Sequence, residues 1–386
     1  MAVFSANDKV RKQLHIPDDI SFSILSKLSI KSLKRFGCLS KSWSLLFDDP
    51  FFMTLYRNHF LTKEHSYYQD TSVLLHQIFY PWDGDYWDKT FELSSLSGER
   101  FKNRVKLDWP SVKFEPAYLI DPRVKTEYDS GFDLLGYGSV HGILCLSCVL
   151  KVNIILWNPT IKEFKLIPPR RNSSYVYLKS FGYDCVKDDY KVTCLGKMQC
   201  EIYSLRSDSW RILDDINTTN SQFTAITSEQ LYMDGLSHWL SRSGTCNETS
   251  LISFDWSNEV FITTPIPSDM NDDICNCFWV STNLVLLNGS IAMILIYTKT
   301  STFHISILGE LGVKESWTKL CSVGPLLCLY YLIGAGKKGD ILFGKKDGGL
   351  VWFNLNTQII EDLGVKSDLS RCNIVIHKEN LLPFVG

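Results

Sequence analysis

No stretch of this 386-residue chain stays apolar long enough to cross a membrane as a helix. The longest candidate, Leu284 to Tyr297, is cut by Asn288-Gly289-Ser290, a turn signal, and reads as two strands of a hairpin. The first fourteen residues, MAVFSANDKVRKQL, hold no apolar core of the kind a secretory signal needs. Twelve cysteines without such a signal read as reduced, mostly buried thiols, not as a disulfide framework. The expectation is an intracellular soluble protein, cytoplasmic, nuclear or both. The Asn-x-Ser/Thr triplets at Asn172, Asn217, Asn247 and Asn288 then carry no weight as glycosylation sites.

Charge of one sign is lacking too. Forty Lys and Arg stand against 42 Asp and Glu, so nothing draws the whole chain to nucleic acid or an anionic membrane. Signatures of catalysis are equally scarce. There is no nucleophile elbow, no Gly-x-Gly-x-x-Gly and no phosphate loop. Gly334-Ala335-Gly336 before Lys337-Lys338 lacks both the spacing and a following helix, and reads as a turn. Cys145-Leu146-Ser147-Cys148 has zinc-knuckle spacing, but in a strand residues three apart point to opposite faces. Cys275-Asn276-Cys277 has no nearby histidine, and the eight histidines are scattered. The sequence therefore predicts no metal, no cofactor and no chemistry of its own.

What remains is a folded protein: 45% apolar and 21% charged, and long enough for two domains or a repeat array. Charge divides unevenly along it. Residues 1–63 hold ten Lys/Arg and five Asp/Glu, leaving 30 and 37 for the rest. A basic head on an acidic body suits an acidic partner for the head.

The head reads as four short helices over residues 14–62, behind a disordered stretch at 1–13. Pro17 suits a first helical position, Asp18 and Asp19 complement the dipole, and Ile20, Ile24, Leu25 and Leu28 recur at helical spacing. A second helix, Ile30 to Leu39, carries Leu33 and Phe36 with Lys31, Lys34 and Arg35 facing away. Ser40 caps a third, Lys41 to Phe47, with Trp43 and Leu46 three apart. Asp49-Pro50 starts a fourth, striped by Phe52, Leu55 and Tyr56. So small a bundle is near the lower limit for an independent core, which argues that part of its apolar surface serves a partner.

The run HIPDDISFSILSKLSIKSLKRFGCLSKSWSLLFDDPFF resembles an F-box. Its landmarks are Ile16-Pro17, Ile24-Leu25 with Leu28, Lys31-Ser32-Leu33 and Lys41-Ser42-Trp43. The resemblance implies a head that binds a Skp-type adaptor, and through it a cullin, with contacts at Ile16, Pro17, Ile24, Leu25, Leu28, Leu33 and Trp43. Two positions depart from the plant pattern: Ser29 stands where proline is usual, and Leu39-Ser40 where Val-Cys is usual.

Beyond residue 63 helical periodicity gives way to short β-rich runs between turns. Five degenerate copies of one unit start near Gly142, Ser180, Leu231, Leu284 and Leu332. Their anchors Trp157, Tyr203, Phe254, Ile307 and Phe353 are spaced 46, 51, 53 and 46 residues apart, each before a turn. Such a period, with four strands per unit, is that of β-propeller blades close to kelch length. Residues 63–386 thus accommodate about six blades, with room for a seventh. Trp82, Trp87 and Trp109 are candidate packing aromatics of the first, and CNIVIHKENLLP is the candidate strand that closes the ring.

Trp157-Asn158-Pro159-Thr160, Phe181-Gly182-Tyr183-Asp184 and Asp189-Tyr190-Lys191-Val192 extend the likeness. The whole chain resembles plant F-box/kelch-type proteins with an F-box-associated interaction domain. That implies a substrate-recognition subunit of a Skp-cullin-F-box ubiquitin ligase, with the propeller gripping a protein target and neither nucleic acid nor membrane as partner. Candidate target loops are Trp82–Trp87, Arg170–Tyr177, Asp214–Asn220 and Ser268–Asp273. Two alternatives stand beside this reading: a scaffold or competitor that binds adaptor without degradation, and a propeller hydrolase, which needs paired carboxylates in the central channel.

Overall fold

The computed structural model describes residues 16–39, 41–62, 71–79, 90–97, 103–112, 131–135, 139–147, 153–170, 176–196, 199–213, 223–225, 230–243, 248–275, 280–336, 339–366 and 372–384. The expected disorder at 1–13, the expected cap Ser40, and Trp82 and Trp87 lie outside them. The chain divides into two compact units, Met1–Ser66 and Tyr67–Gly386.

The first unit is helical: α1 (Asp18–Leu25), α2 (Ile30–Gly37), α3 (Lys41–Ser44), a 3₁₀ turn at Leu46–Asp48, and α4 (Pro50–Thr62). Pro17 is the residue before α1, not its first helical one. The expected third helix is split, because the backbone leaves the α conformation at Leu45 and resumes as a 3₁₀ turn. Asp49 caps α4 by accepting from the Phe52 amide at 2.9 Å. Phe52 is fully buried and collects the rings of Phe22 at 5.7 Å and Phe47 at 6.2 Å. Phe36 and Trp43 meet edge to face at 5.5 Å and join α2 to α3.

The second unit is a six-bladed β-propeller. Its opening strands, β1 (Thr71–Phe79), β2 (Thr90–Ser97) and β3 (Asn103–Leu107), belong to the last blade. Blade 1 is β4 (Asp133–Leu134), β5 (Leu144–Ser147), β6 (Ile154–Asn158) and β7 (Glu163–Leu166). Blade 2 is β8 (Val176–Asp184), β9 (Asp189–Gly196), β10 (Cys200–Ser204) and β11 (Ser209–Ile212). In blade 3 the first position is shared by β12 (Phe223–Ala225) and β13 (Leu231–Met233), which both pair with β14 (Leu236–Ser243). Outside it lie β15 (Thr249–Asp255) and β16 (Val260–Pro265), followed by helix α5 (Ser268–Cys275). Blade 4 is β17 (Val280–Leu287), β18 (Ser290–Tyr297), β19 (Thr302–Leu308) and β20 (Trp317–Val323). Blade 5 is β21 (Leu329–Ala335), β22 (Asp340–Lys345), β23 (Gly349–Asn354) and β24 (Ile360–Lys366). Finally β25 (Cys372–Lys378) pairs antiparallel with β1, from Thr71 opposite Lys378 to Gln77 opposite Cys372, and completes blade 6.

The five repeat anchors all fall on the third strand of their blades: Trp157 on β6, Tyr203 on β10, Phe254 on β15, Ile307 on β19 and Phe353 on β23. In four blades the residue after the anchor then builds the turn to the outer strand. Asn158 accepts from the Thr160 amide (3.1 Å), Ser204 from Ser207 (3.2 Å), Asp255 from Ser257 and Asn258 (both 2.9 Å), and Asn354 from Asn356 (3.0 Å) and Thr357 (2.9 Å). The Leu284–Tyr297 run forms the hairpin its sequence predicts, with Asn288 and Gly289 both at positive φ, 51° and 81°.

Neighbouring blades approach through their first strands, as β17 does β21 and β21 does β25, so these strands surround the axis. The space between blades is filled with apolar side chains. Trp109, expected as a packing aromatic, sits between blades 6 and 1, 5.8 Å from Phe132 and 5.9 Å from Trp157.

Ring closure has a second component past β25. Asn158, wholly buried, donates from Nδ2 to the carbonyls of Asn380 (3.0 Å) and Leu382 (3.2 Å). Asn380 in turn donates to the His141 carbonyl at 2.8 Å. Gly142, at φ 80°, admits this segment, because a Cβ there would stand 2.4 Å from the Lys378 carbonyl oxygen. Replacing Asn158 with alanine strands two buried carbonyls. The expected loss is about 1–3 kcal/mol of unfolding free energy, read by urea denaturation of the propeller.

Candidate functional site

The residues expected to bind an adaptor lie on the helical head, and the structure sorts them by exposure. Ile16 and Ile24 are exposed, at 58% and 55%, and Pro17 is exposed beside them. Leu25 and Leu33 are buried, while Leu28 and Trp43 are half-buried. Ile20, part of the α1 stripe but not among the expected contacts, is 49% exposed and stands midway between Ile16 and Ile24. Spacing of four residues puts Ile20 and Ile24 along one face of α1, and Ile16 lies in the extended stretch just before the helix. The other face carries Phe22 and Leu25 inward. Helical periodicity alone does not separate two apolar faces on one short helix, so Ile20 carried no signal of its own.

Ser29, the departure from the usual proline, has a definite role. Its hydroxyl caps α2 by accepting from the Ser32 amide at 3.4 Å, and it lies 3.1 Å from the Ser32 hydroxyl. Lys27, Lys31, Lys34 and Arg35 are exposed on α2 and the turn before it, and give the head its positive surface.

On the propeller, antiparallel order fixes which connections share an end. Links from second to third strand, and from fourth to the next first, leave one end of the ring; the chain enters β1 at the other. Trp82–Trp87 links a second to a third strand, while Arg170–Tyr177, Asp214–Asn220 and Ser268–Asp273 link consecutive blades. All four target-loop candidates therefore belong to one end. Residues 80–89, 171–175 and 214–222 lie outside the described residues. Ser268–Asp273 is not a loop but the greater part of α5. Asp269 complements the dipole in its first turn, Ile274 is buried against Ile266 and Leu284, and Tyr297 donates to Asp273 at 2.5 Å.

The shared motifs of the body prove to be joints between blades. Gly182 lies against Trp256 of blade 3: a Cβ would come within 2.0 Å of the indole nitrogen. That nitrogen donates to the Ser237 hydroxyl (2.8 Å), which donates to the Phe181 carbonyl (3.3 Å). Beside it, Lys191 is buried between Asp184 (2.5 Å) and Glu259 of blade 3 (2.7 Å), and also donates to the Trp256 carbonyl (3.2 Å). Burial alone would raise the Asp184 carboxyl, but Lys191 and the amides of Lys187 and Val186 hold it below its usual range. Glu259 is likewise held low, against its burial, by Arg211 and Lys191.

Several titratable groups are buried within the blades. His377, buried in β25, lies 3.1 Å from the Gly142 carbonyl, and burial lowers it to about 4. His238 is buried 2.8 Å from the Ser253 hydroxyl and is also lowered to about 4 by burial. Burial pushes the Cys194 thiol up to about 11, and Cys145 higher still. Among the described residues no three His, Cys, Asp or Glu gather as a metal site, and Cys148, Asn276 and Cys277 lie outside them. The described parts of the axial strands carry carboxylates at Asp133 and Asp184 only, and Asp184 is bound to Lys191. No helix among the described residues is long and apolar enough to cross a membrane.

Comparison with known families matches both units. The F-box domain model covers residues 14–54, and the model of the F-box associated beta propeller domain covers residues 98–382. The chain belongs to the F-box-associated β-propeller family. An F-box/kelch-repeat protein of Arabidopsis thaliana is 27% identical over 338 residues, 81% of this chain and 80% of that protein. A putative F-box protein of the same plant is 26% identical over 320 residues, 79% of this chain and 67% of that one. In this F-box/propeller chain the Phe-Gly-Tyr-Asp and Asp-Tyr-Lys runs are thus accounted for by packing.

Substituting Lys191 with methionine leaves Asp184 buried without its cation, at an expected cost of about 3–5 kcal/mol near neutral pH. Both neighbouring carboxyls are depressed in the folded wild type. Their contribution is present above the unfolded values near 4 and is lost as pH falls through the folded ones. The stability gap between variant and wild type therefore narrows in acid, as denaturant titrations at neutral pH and near pH 3 will register.

Proposed function

We propose that this chain is the target receptor of a Skp-cullin-F-box ubiquitin ligase. Its head binds a Skp-type adaptor, and through it a cullin, while the loop-bearing end of its propeller binds the protein to be ubiquitinated. The observation that carries the reading is the exposed Ile20 and Ile24 on α1, with exposed Ile16 and Pro17 just before it, in the segment matched as an F-box. Three isoleucines in water on a bundle this small are a cost that a partner removes, at about 25 cal/mol per Å² of apolar surface covered. The exposed lysines and Arg35 complement an acidic adaptor.

In this reading Leu25 and Leu33 support the interface from within, Leu28 and Trp43 border it, and Ile16, Pro17, Ile20 and Ile24 touch the adaptor. The chain itself performs no reaction; ubiquitin transfer belongs to the other subunits. The axial carboxylates, one of them locked to Lys191, favour this over a hydrolase. The Ser29 cap keeps α2 regular without the usual proline and favours a competent F-box over a crippled competitor.

The test is co-purification with a Skp-type adaptor. Ile20→Asp/Ile24→Asp is expected to weaken binding by at least ~100-fold, a loss of about 3 kcal/mol, with helical content unchanged. Leu25→Asp is expected to lose binding together with the head's helical signal. A wild-type chain that does not bind the adaptor overturns the proposal.

A further inference from the structure

The link from β20 to β21, Gly324-Pro325-Leu326-Leu327-Cys328, is anchored on one side and apolar on the other. Its amide at Leu326 donates to the Ser301 carbonyl at 2.7 Å, and the Leu329 amide closes back on Leu326 at 3.1 Å. Gly324, at φ 125°, lies so close to the preceding turn that a Cβ would stand 2.8 Å from the Ser301 oxygen. Leu326 and Leu329 turn inward against the cluster of Val285, Phe303 and Phe343. Pro325, Leu327, Cys328 and Tyr330 turn outward, with Leu327 71% and Tyr330 56% exposed. A fixed backbone that presents neighbouring apolar side chains to water marks an interaction surface.

On blades 4 and 5 its electrostatic setting holds more cations than carboxylates. This link lies at the same end of the ring as the four target-loop candidates. At that end of blades 4 and 5 stand the exposed Lys299, Lys346 and Lys366. Two carboxylates of blade 5 stand there as well, Asp347 and Asp362, and both meet Lys345, at 3.5 Å and 2.8 Å; Asp269 and Asp273 of α5 lie at the same end, on the side of blade 3.

We infer that Pro325–Tyr330 docks a target segment bearing an apolar side chain flanked by carboxylates. Leu327 and Tyr330 supply the buried anchor, Tyr being a side chain favoured at such centres, and the lysines select and steer the acidic flanks. The inference rests on the propeller being the target receptor.

The test uses the full chain co-purified with adaptor and three fluorescent hexapeptides. One is Glu-Asp-Leu-Phe-Glu-Asp, one replaces its four carboxylates with lysine, and one replaces Leu-Phe with Ser-Ser. The first is expected to bind at least ~10-fold more tightly than the others. Leu327→Ser/Tyr330→Ser is expected to weaken it at least ~10-fold, and Lys299→Glu/Lys346→Glu to weaken it and flatten its salt dependence. The inference is overturned if the first peptide does not bind, if all three bind alike, or if the Leu327→Ser/Tyr330→Ser variant keeps wild-type affinity. Adaptor retention separates the two claims: a chain that holds adaptor but ignores the peptides defeats this inference alone.

Discussion

Everything in the propeller depends on the pairing of its last strand with its first. A blade is a four-stranded sheet with two apolar faces, and no blade buries both without a neighbour on either side. The seam between β25 and β1 supplies the missing neighbour for blades 5 and 1, and within it Ser72 meets His377, 305 positions away along the chain. Asn158 and Asn380 then fasten the segment beyond the seam onto blade 1. The closing strand is thus held on one side by a ladder and on the other by buried side-chain hydrogen bonds.

The same logic recurs between blades 2 and 3 in polar form. A cation buried between carboxylates from two blades tolerates neither removal nor displacement, so it fixes how those blades meet. The indole of Trp256 does the matching steric work, occupying the space that any side chain larger than hydrogen at residue 182 would need. The most recognisable sequence of the body is therefore joinery between blades.

Much of this architecture was legible in the sequence for one reason: the third strand of each blade ends in a bulky apolar residue followed by a short polar one that turns the chain. Trp157-Asn158, Tyr203-Ser204, Phe254-Asp255 and Phe353-Asn354 obey a local rule of burial and turn chemistry, and local rules leave marks at a fixed period. Blade 4 departs from it at Ile307-Leu308, where a longer connection with a 3₁₀ turn at Lys314–Ser316 replaces the tight one. What stayed hidden depends on partners remote in sequence. Glu259 gave no sign that it answers Lys191, nor Trp256 that it answers Gly182. Ser268–Asp273 looked like a polar loop because the burial that makes it a helix is supplied by Ile266, Ile274 and Leu284. In the head, periodicity found α1 but could not say that Leu25 points inward while Ile20 and Ile24 point out.

A ring that closes with its final strand also has a history during synthesis. As the ribosome releases the chain from the N-terminus, the helical head and the strands of five blades are made before residue 372 exists. Until then β1 has no partner on its axial side, and two blade faces remain wet. The closed ring therefore forms only after its last strand is made, and a chain without that strand is an open array with exposed strand edges, prone to the associations such edges invite. The helical head, built from local contacts, owes nothing to that last step.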